Sequence, residues 1–129
     1  MPLIYSGQEY DLDHRLLFFE KDEIPKTKKI MWPLLQKLGK LKKENPALHT
    51  GIDASNYKKI NVVNPEILAF ERSKGTDSVI FLGNFSKNSQ EMNNIFSGGF
   101  NYFDNSIENS KKLVFEPWEF KILTGAEKK

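Results

Sequence analysis

The feature that most constrains the fold of this chain is a change in hydrophobic period near residue 48. Before it, Leu34, Leu38 and Leu41 recur at the spacing of one helix face, and Pro33 suits the first turn of a helix because it lacks an N–H. After it, short β-rich runs alternate with turn residues. The sequence therefore predicts a helix at about 32–44, followed by an all-β block.

The all-β block is predicted to be an antiparallel sandwich, because its runs are short and turn signals recur between them. Gly75 lies in the connection between two strong runs and suits a hairpin turn. The predicted strands are 60–63, 67–70, 78–82, 90–96, 101–104, 112–115 and a last strand at 118–122. The residues expected in the core are Phe70, Phe81, Trp118, Phe120 and Ile122.

The first residues predict a different kind of element. Pro2–Tyr5 is a short apolar run typical of a strand buried in a parallel sheet, and a loop then leads to the helix. A lone parallel strand has no partner in an antiparallel sandwich, because parallel pairs need crossover connections. We therefore expect an internal start and the last β/α unit of a larger body. We also expect residues 1–24 to be mobile or packed in a foreign way, with self-association through them as one outcome.

Composition excludes several function classes. The formal net charge is +2, and only Arg15 and Arg72 among the 19 basic residues are arginines, so neither nucleic acid nor an anionic membrane is predicted as a partner. No apolar run reaches the length of a membrane span. There is no cysteine, which excludes disulfides and thiolate metal sites.

The titratable residues predict no catalytic, metal or cofactor site. His14 and His49 are far apart and have no nucleophile pattern around them. Carboxylates crowd the first loop, but their spacing is not that of a calcium-binding loop, and we interpret them as solvated. These carboxylates are Glu9, Asp11, Asp13, Glu20, Asp22 and Glu23. Tyr57 and Tyr102 lie in polar stretches and are the candidates for sugar contact through an exposed ring.

Five segments, in order along the chain, resemble the alpha-amylase family, glycoside hydrolase family 13. The first resembles the eighth barrel strand and the stretch after it, the second the eighth helix, and the others the C-terminal domain. The segments are Met1-Pro-Leu-Ile-Tyr-Ser-Gly-Gln-Glu9 with Arg15-Leu-Leu-Phe-Phe-Glu-Lys-Asp22, Leu35-Gln-Lys-Leu-Gly-Lys-Leu-Lys-Lys-Glu-Asn-Pro-Ala-Leu48, Ile67-Leu-Ala-Phe-Glu-Arg72, Val79-Ile-Phe-Leu-Gly-Asn-Phe-Ser86 and Glu116-Pro-Trp-Glu-Phe-Lys-Ile-Leu123.

The resemblance implies a Greek-key antiparallel β-sandwich preceded by the last strand–loop–helix unit of a (β/α)8 barrel. Residues 1–48 would be the barrel remnant and residues 49–129 the C-terminal sandwich domain. The parent enzyme would act on α-glucans with retention of configuration, using carboxylates on earlier strands of the barrel. The chain by itself is therefore expected to be inactive, with the rest of the barrel as its partner. Tyr5, Gln8 and Glu9 would support the barrel mouth in the parent.

Two other functions are open at this point. One is a carbohydrate-binding module that uses surface aromatics, and the other is an independent interaction domain whose similarity is only structural. Neither the parent's bond specificity nor its compartment follows from these residues; cytoplasmic, periplasmic and secreted parents all fit the sequence.

Overall fold

The computed structural model describes residues 3–125 and the backbone of residues 127 and 128. The chain divides into two compact units, Met1–Glu44 and Asn45–Lys129. The division falls four residues before the boundary predicted at 48, because the short 3-10 turn Pro46–Leu48 packs against strands of the second unit. The identification of the two segments as a barrel remnant and a sandwich domain stays a prediction.

The first unit contains one long helix, α1 (Met31–Glu44), which confirms the predicted helix. It begins two residues before Pro33, so the proline lies in the first turn, where an N–H has no partner within the helix anyway. Lys42 and Lys43 lie in the last turn, where positive charge opposes the negative end of the helix dipole. Leu41 is buried on the apolar stripe.

The predicted strand at the start of the chain is not observed. Leu3–Tyr5 belongs to no strand, and all three residues are exposed. Pro2 lies outside the described residues. A strand exists only when its N–H and C=O groups pair with a neighbour, and the described residues supply no neighbour here.

The second unit is built on a five-stranded antiparallel sheet with the order β1-β2-β3-β8-β6. Its centre is a hairpin of two eight-residue strands, in register from Ile67↔Asn84 to Lys74↔Asp77. Gly75 has a φ of 59° at the first of the two turn positions, as the hairpin prediction required. The strands of this sheet are β1 (Asn56–Lys59), β2 (Ile67–Lys74), β3 (Asp77–Asn84), β6 (Phe100–Asn101) and β8 (Phe120–Thr124).

Two antiparallel strand pairs complete the sandwich. One joins β4 (Gln90–Asn93) to β7 (Lys112–Phe115), and the other joins β5 (Phe96–Ser97) to β9 (Glu127–Lys128). The core lies between these pairs and one face of the large sheet, and it consists of Ile60, Ile67, Ala69, Ile80, Leu82, Met92, Phe96, Leu113, Phe115 and Leu123. The predicted mainly β, antiparallel sandwich is confirmed.

The predicted core aromatics were assigned to the wrong face. Ile122 is buried, but Phe70, Phe81 and Phe120 are only partly buried and lie on the opposite face of the large sheet from Leu82 and Leu123. Alternation along a strand separates two faces without saying which one meets the core.

Trp118 was also placed wrongly. It lies in the turn before β8 with a φ of 63°, and its side chain is 64% exposed. The turn is closed by the N–H of Glu119, which donates to the carbonyl oxygen of Glu116. The alternating pattern therefore begins at Phe120 rather than at Trp118.

Three further strand predictions need correction. The first strand is Asn56–Lys59 rather than 60–63, because the chain leaves the ladder after Ile60. The 90–96 run is split by Asn94, whose buried amide donates to two carbonyl oxygens and accepts from the N–H of Phe96. The strand near 101 ends at Asn101, because the following three residues form a turn.

Candidate functional site

Residues 6–12 of the first unit form a tight turn that requires a glycine. Gly7 is buried with a φ of 93°, and a Cβ at this position would lie 2.6 Å from the Leu12 side chain. The carbonyl oxygen of Gly7 accepts from the N–H groups of Tyr10 and Leu12. A side chain at position 7 would meet both backbone strain and a clash, so this turn requires a glycine at that position.

Gln8 and Glu9, two of the predicted support residues, use their side chains inside this turn. The Gln8 Oε1 atom accepts from the N–H of Tyr5 at 3.3 Å, and the Glu9 Oε2 atom accepts from the N–H of Gly7 at 3.0 Å. Both side chains therefore stabilise the loop backbone. This geometry suits a positioning role better than proton transfer, which needs a carboxyl group turned toward a substrate.

The turn is tied to the start of α1 by two contacts. The Asp11 Oδ2 atom accepts from the N–H of Met31 at 3.0 Å, which satisfies one of the free donors of the helix N-terminus. The Tyr10 ring stacks on Trp32 at 5.4 Å, and the Lys28 Nζ atom lies 4.4 Å from the centroid of the same indole. The Gly7–Leu12 turn and the helix thus form one local assembly.

A cavity of about 480 Å³ opens beside the turn. Tyr5 and Gln8 line it together, whereas Glu9 does not. The basic residues His14 and Arg15 line it beside the apolar Leu12 and Phe18. The structure therefore brings two of the three predicted support residues to one cavity, and their role in the barrel mouth stays a prediction.

The loop after this cavity is held by Asp22. Its Oδ2 atom accepts from the N–H of Leu17 at 3.1 Å, its Oδ1 atom from the N–H of Glu23 at 2.8 Å, and His14 Nε2 lies 3.5 Å from Oδ2. The Leu17 hydrogen bond is the largest cause that lowers the pKa of this carboxyl from its ordinary 3.8. At neutral pH the ionised Asp22 side chain therefore stabilises this loop through hydrogen bonds to its backbone.

In the second unit, six aromatic rings form a continuous row across the outer face of the large sheet. Neighbouring ring centroids are 5.5, 5.1, 5.9, 5.5 and 5.9 Å apart along the row. The members of this aromatic row, in spatial order, are Tyr57, Phe70, Phe81, Phe120, Phe103 and Tyr102.

A glycine in the central strand makes room for the row. A Cβ on Gly83 would lie 2.9 Å from the Phe81 ring and 3.1 Å from the Phe85 ring. Gly83 also pairs with Phe120 across the sheet. Because Gly83 has no side chain, the Phe81 and Phe85 rings can lie close to the strand backbone at this point.

The two tyrosines singled out for sugar contact are the two ends of this row. Tyr57 is 60% exposed on the edge strand β1, and Tyr102 is half-buried beside β8. They are 45 positions apart in sequence, so only the fold relates them. Phe70, Phe81 and Phe120 between them were expected in the core, and Phe103 was not singled out. The strand pairing, which places Phe70 opposite Phe81, shows that these two rings share a face of the sheet.

The described residues contain no group of three or more His, Cys, Asp or Glu arranged to hold a metal ion. No helix within that part of the chain is both long and apolar enough to cross a membrane.

Solved structures of amylase-type enzymes share this fold. A maltogenic alpha-amylase from Thermotoga neapolitana matches 95% of this chain at 19% identity with a TM-score of 0.72, and the match covers 32% of that enzyme. An isomaltulose synthase variant from Erwinia rhapontici in complex with D-glucose matches 73% at 21% identity, a TM-score of 0.59 and 17% coverage of its own length. A maltogenic amylase from S. marinus matches 74% at 17% identity, a TM-score of 0.58 and 12% coverage.

No protein-family model matches the chain, and no curated protein sequence matches it. The chain spans about a third or less of the length of the solved enzymes that it resembles. At these identities the likeness concerns the fold. It confirms the predicted resemblance at that level: the chain has the fold of a part of an alpha-amylase-type enzyme.

Proposed function

We propose that this chain is the non-catalytic, C-terminal portion of an amylase-type glycoside hydrolase acting on α-glucans, and that it stabilises the catalytic barrel of that enzyme. The observation that carries the proposal is the match to the Thermotoga neapolitana enzyme. Both units of this chain fall within the 95% that superposes, and they correspond to only 32% of the larger protein. The remaining part of that enzyme is where the resemblance would place the catalytic barrel.

The surface of the first unit supports a missing partner. Seven of its large apolar side chains are exposed, and exposed apolar groups in such number are typical of an interface. These residues are Leu3, Ile4, Tyr5, Leu17, Phe18, Phe19 and Ile30. In the proposal they meet the rest of the barrel, with Tyr5, Gln8 and Glu9 supporting its mouth. In isolation they would favour self-association.

The proposed absence of catalysis rests on how the carboxylates of the first unit are used. Glu9, Asp11 and Asp22 each accept hydrogen bonds from backbone N–H groups. Retaining hydrolysis needs two carboxyl groups about 5–5.5 Å apart on either side of the scissile bond. No carboxylate of this chain inherits either role from the resemblance, so the chain alone should release no sugar.

The decisive experiment is to read the coding DNA immediately upstream of Met1 and to express any continuous reading frame joined to this chain. The joined protein should hydrolyse starch or a nitrophenyl maltoside, whereas the 129-residue chain should not. A matched preparation of the chain with Glu9→Gln controls for contaminating enzymes. Activity of the repurified chain that Glu9→Gln abolishes, or an upstream frame without a barrel, would overturn the proposal.

A second candidate function, carbohydrate binding, is favoured by the aromatic row. The two tyrosines predicted for sugar contact are parts of a single ring surface, and aromatic faces are apolar platforms on which sugar rings stack. Tyr57→Ala should then reduce retardation of the chain in native gels containing starch. Tyr5→Ala is the matched control, because Tyr5 is 66% exposed and lies in the other unit. Equal retardation of both variants would exclude the row as the binding surface.

A further inference from the structure

We propose a separate binding site for a single neutral sugar ring in the cavity between the β1–β2 connection and β4. The cavity has a volume of about 300 Å³, at the lower end of the range for small-molecule sites. It is formed wholly within the second unit, by residues 61–64, 91–93 and 95. None of its lining residues belongs to the aromatic row or to the cavity beside the Gly7–Leu12 turn.

The floor of the cavity is apolar and continuous with the core. Met92 is buried, and Val62 and Ile95 pack against the core cluster while still reaching the cavity. Val63 stands on the rim and is fully exposed. An exposed valine beside an apolar floor gives the C–H face of a ring a surface to cover.

The rim carries groups that both donate and accept hydrogen bonds. Asn61 and Asn93 line the cavity, and among the described residues their side-chain amides take part in no hydrogen bond. An amide offers a carbonyl acceptor and an N–H₂ donor, which complements a hydroxyl group that also does both. Two such amides over an apolar floor select a polyhydroxylated ring rather than a hydrocarbon.

The charge of the site selects against ionic ligands. Glu91 is the only ionisable residue of the lining, and its carboxylate pairs with Lys112 of the neighbouring strand. An anion would meet this carboxylate, and a cation would compete with the lysine and find no second acidic residue in the lining. A neutral ligand therefore fits best.

The cavity is held open by fixed contacts. The Asn64 amide donates to Gln90 Oε1 at 2.8 Å, and its Oδ1 atom accepts from the N–H of Glu66 at 3.0 Å. These bonds anchor the β1–β2 connection to β4, so the site exists before a ligand arrives. Preorganisation of this kind lowers the ordering cost of binding.

The choice of glucose as the sugar rests on the proposed function, whereas the preference for a neutral ring rests on the cavity. Glucose is therefore the probe. The site contains no aromatic ring, so we expect a dissociation constant on the order of 1–10 mM.

The test is a titration of the ¹⁵N-labelled full chain with glucose, in which the chemical shifts of the backbone amides are measured. Saturable shifts are expected at Val62, Val63, Met92 and Ile95. The double variant Asn61→Ala/Asn93→Ala should weaken binding about tenfold or more, an amount that loss of two hydrogen bonds explains. Asn109→Ala, at an exposed asparagine outside the cavity, is the matched control and should bind as the original chain does.

Sorbitol, which has the hydroxyl groups but no ring face, should cause no saturable shift at these amides. The inference is overturned by a dissociation constant above about 50 mM, by equal response to sorbitol, or by unchanged binding in the double variant. Dispersed amide spectra of both variants show that they are folded. Shifts at Tyr57 and Phe70 instead would assign binding to the aromatic row and also overturn it. A barrel-encoding upstream frame decides the proposed function independently of this result.

Discussion

The two units of this chain bury their apolar side chains to very different extents. In residues 45–125 ten apolar side chains form one closed core cluster between two layers. In residues 3–44 Leu41 is the only buried side chain among the described large apolar residues, while seven such residues are exposed. Hydrophobic burial is the main favourable term in folding, so the second unit can stabilise itself and the first cannot do so to the same degree.

The two units therefore differ in how far each resembles a self-contained domain. The sandwich has the architecture of an independent domain, with hydrogen-bonded strands and a continuous core. The first unit has well-formed local contacts, such as the Gly7–Leu12 turn and the Tyr10–Trp32 stack. Seven of its large apolar residues are nevertheless exposed. Local hydrogen bonds alone do not make a domain.

The largest expected effect comes from opening the core of the second unit. Phe115 is fully buried, so Phe115→Ala should lower the free energy of unfolding by roughly 3–5 kcal/mol through lost transfer energy and a cavity. Phe18→Ala in the first unit is the matched control, because Phe18 is 84% exposed, and it should change stability by less than about 0.5 kcal/mol. Urea denaturation measures both.

The loss in the free energy of unfolding for Phe120→Ala should lie between the losses for these two variants, because Phe120 is half-buried in the aromatic row. A loss for Phe120→Ala as large as that for Phe115→Ala would show that the outer face of the sheet is as closed as the core. A similar loss for Phe18→Ala would contradict the contrast between the units.

The second effect concerns the segment that leads into the sandwich. The Arg72 guanidinium donates to Ser55 Oγ, to the carbonyl oxygen of Asn56 and to that of His49, at 3.0 to 3.2 Å. Arg72→Lys keeps the charge but loses the planar fork, so it should lower the free energy of unfolding by about 1–3 kcal/mol. Thermal unfolding measures this change.

Arg15→Lys is the control for this prediction, because Arg15 is the other arginine of the chain and is exposed in the first unit. It should leave the thermal transition unchanged. Equal effects of the two substitutions would mean that the loss at position 72 is a general consequence of replacing arginine.

A smaller, pH-dependent effect distinguishes two aspartates, one in each unit. The Lys74 side chain, and then His49, lower the pKa of Asp53 from its ordinary 3.8. A lowered folded-state pKa means that the carboxylate stabilises the fold above 3.8 and that this stabilisation is lost as the pH falls below it. The melting temperature of Asp53→Asn should therefore be below that of the parent chain at pH 7, and the difference should close in acid.

Asp22→Asn provides the comparison in the first unit, where the pKa of the carboxyl is also lowered. This substitution should not shift the melting temperature of the sandwich at any pH, because the Asp22 side chain stabilises a loop outside that unit. Added salt should reduce the Asp53 effect, since exposed ion pairs are screened. A pH-independent difference for Asp53→Asn would contradict the proposed cause.

The smallest expected change in sandwich stability follows the largest change in sequence. Deleting residues 1–24 should shift the unfolding of the sandwich by less than about 0.5 kcal/mol, while it reduces self-association measured by sedimentation. Phe18→Ser with Phe19→Ser tests the same surface without shortening the chain. Unfolding of the sandwich on deletion would make residues 1–24 part of its core.

Local sequence patterns determined the elements whose contacts are local. The leucine spacing predicted α1, and the runs around Gly75 predicted the β2–β3 hairpin, because both depend on neighbouring residues and on one turn. The antiparallel sandwich and the resemblance to amylase-type enzymes also followed from the order of these patterns. The resemblance is confirmed by solved structures at the level of the fold.

Tertiary structure alone decided which faces are inside and which residues meet. Phe120 and Ile122 alternate with Lys121 in sequence, yet Leu123 faces the core cluster and Phe120 lies in the outer row. Lys121 lies on the Leu123 side and is balanced by Glu108 and Glu119. A period of two separates the faces of a strand, but only the layer packed against it determines which face is buried.

The same limit applies to the candidate sites. Tyr57 and Tyr102 were separate expectations in sequence and became two ends of one surface only through strand pairing. The cavity between the β1–β2 connection and β4 gave no sequence signal, because its amides lie some 30 positions apart and resemble any other surface asparagines. Sequence specifies the residue types, and long-range packing specifies their juxtaposition.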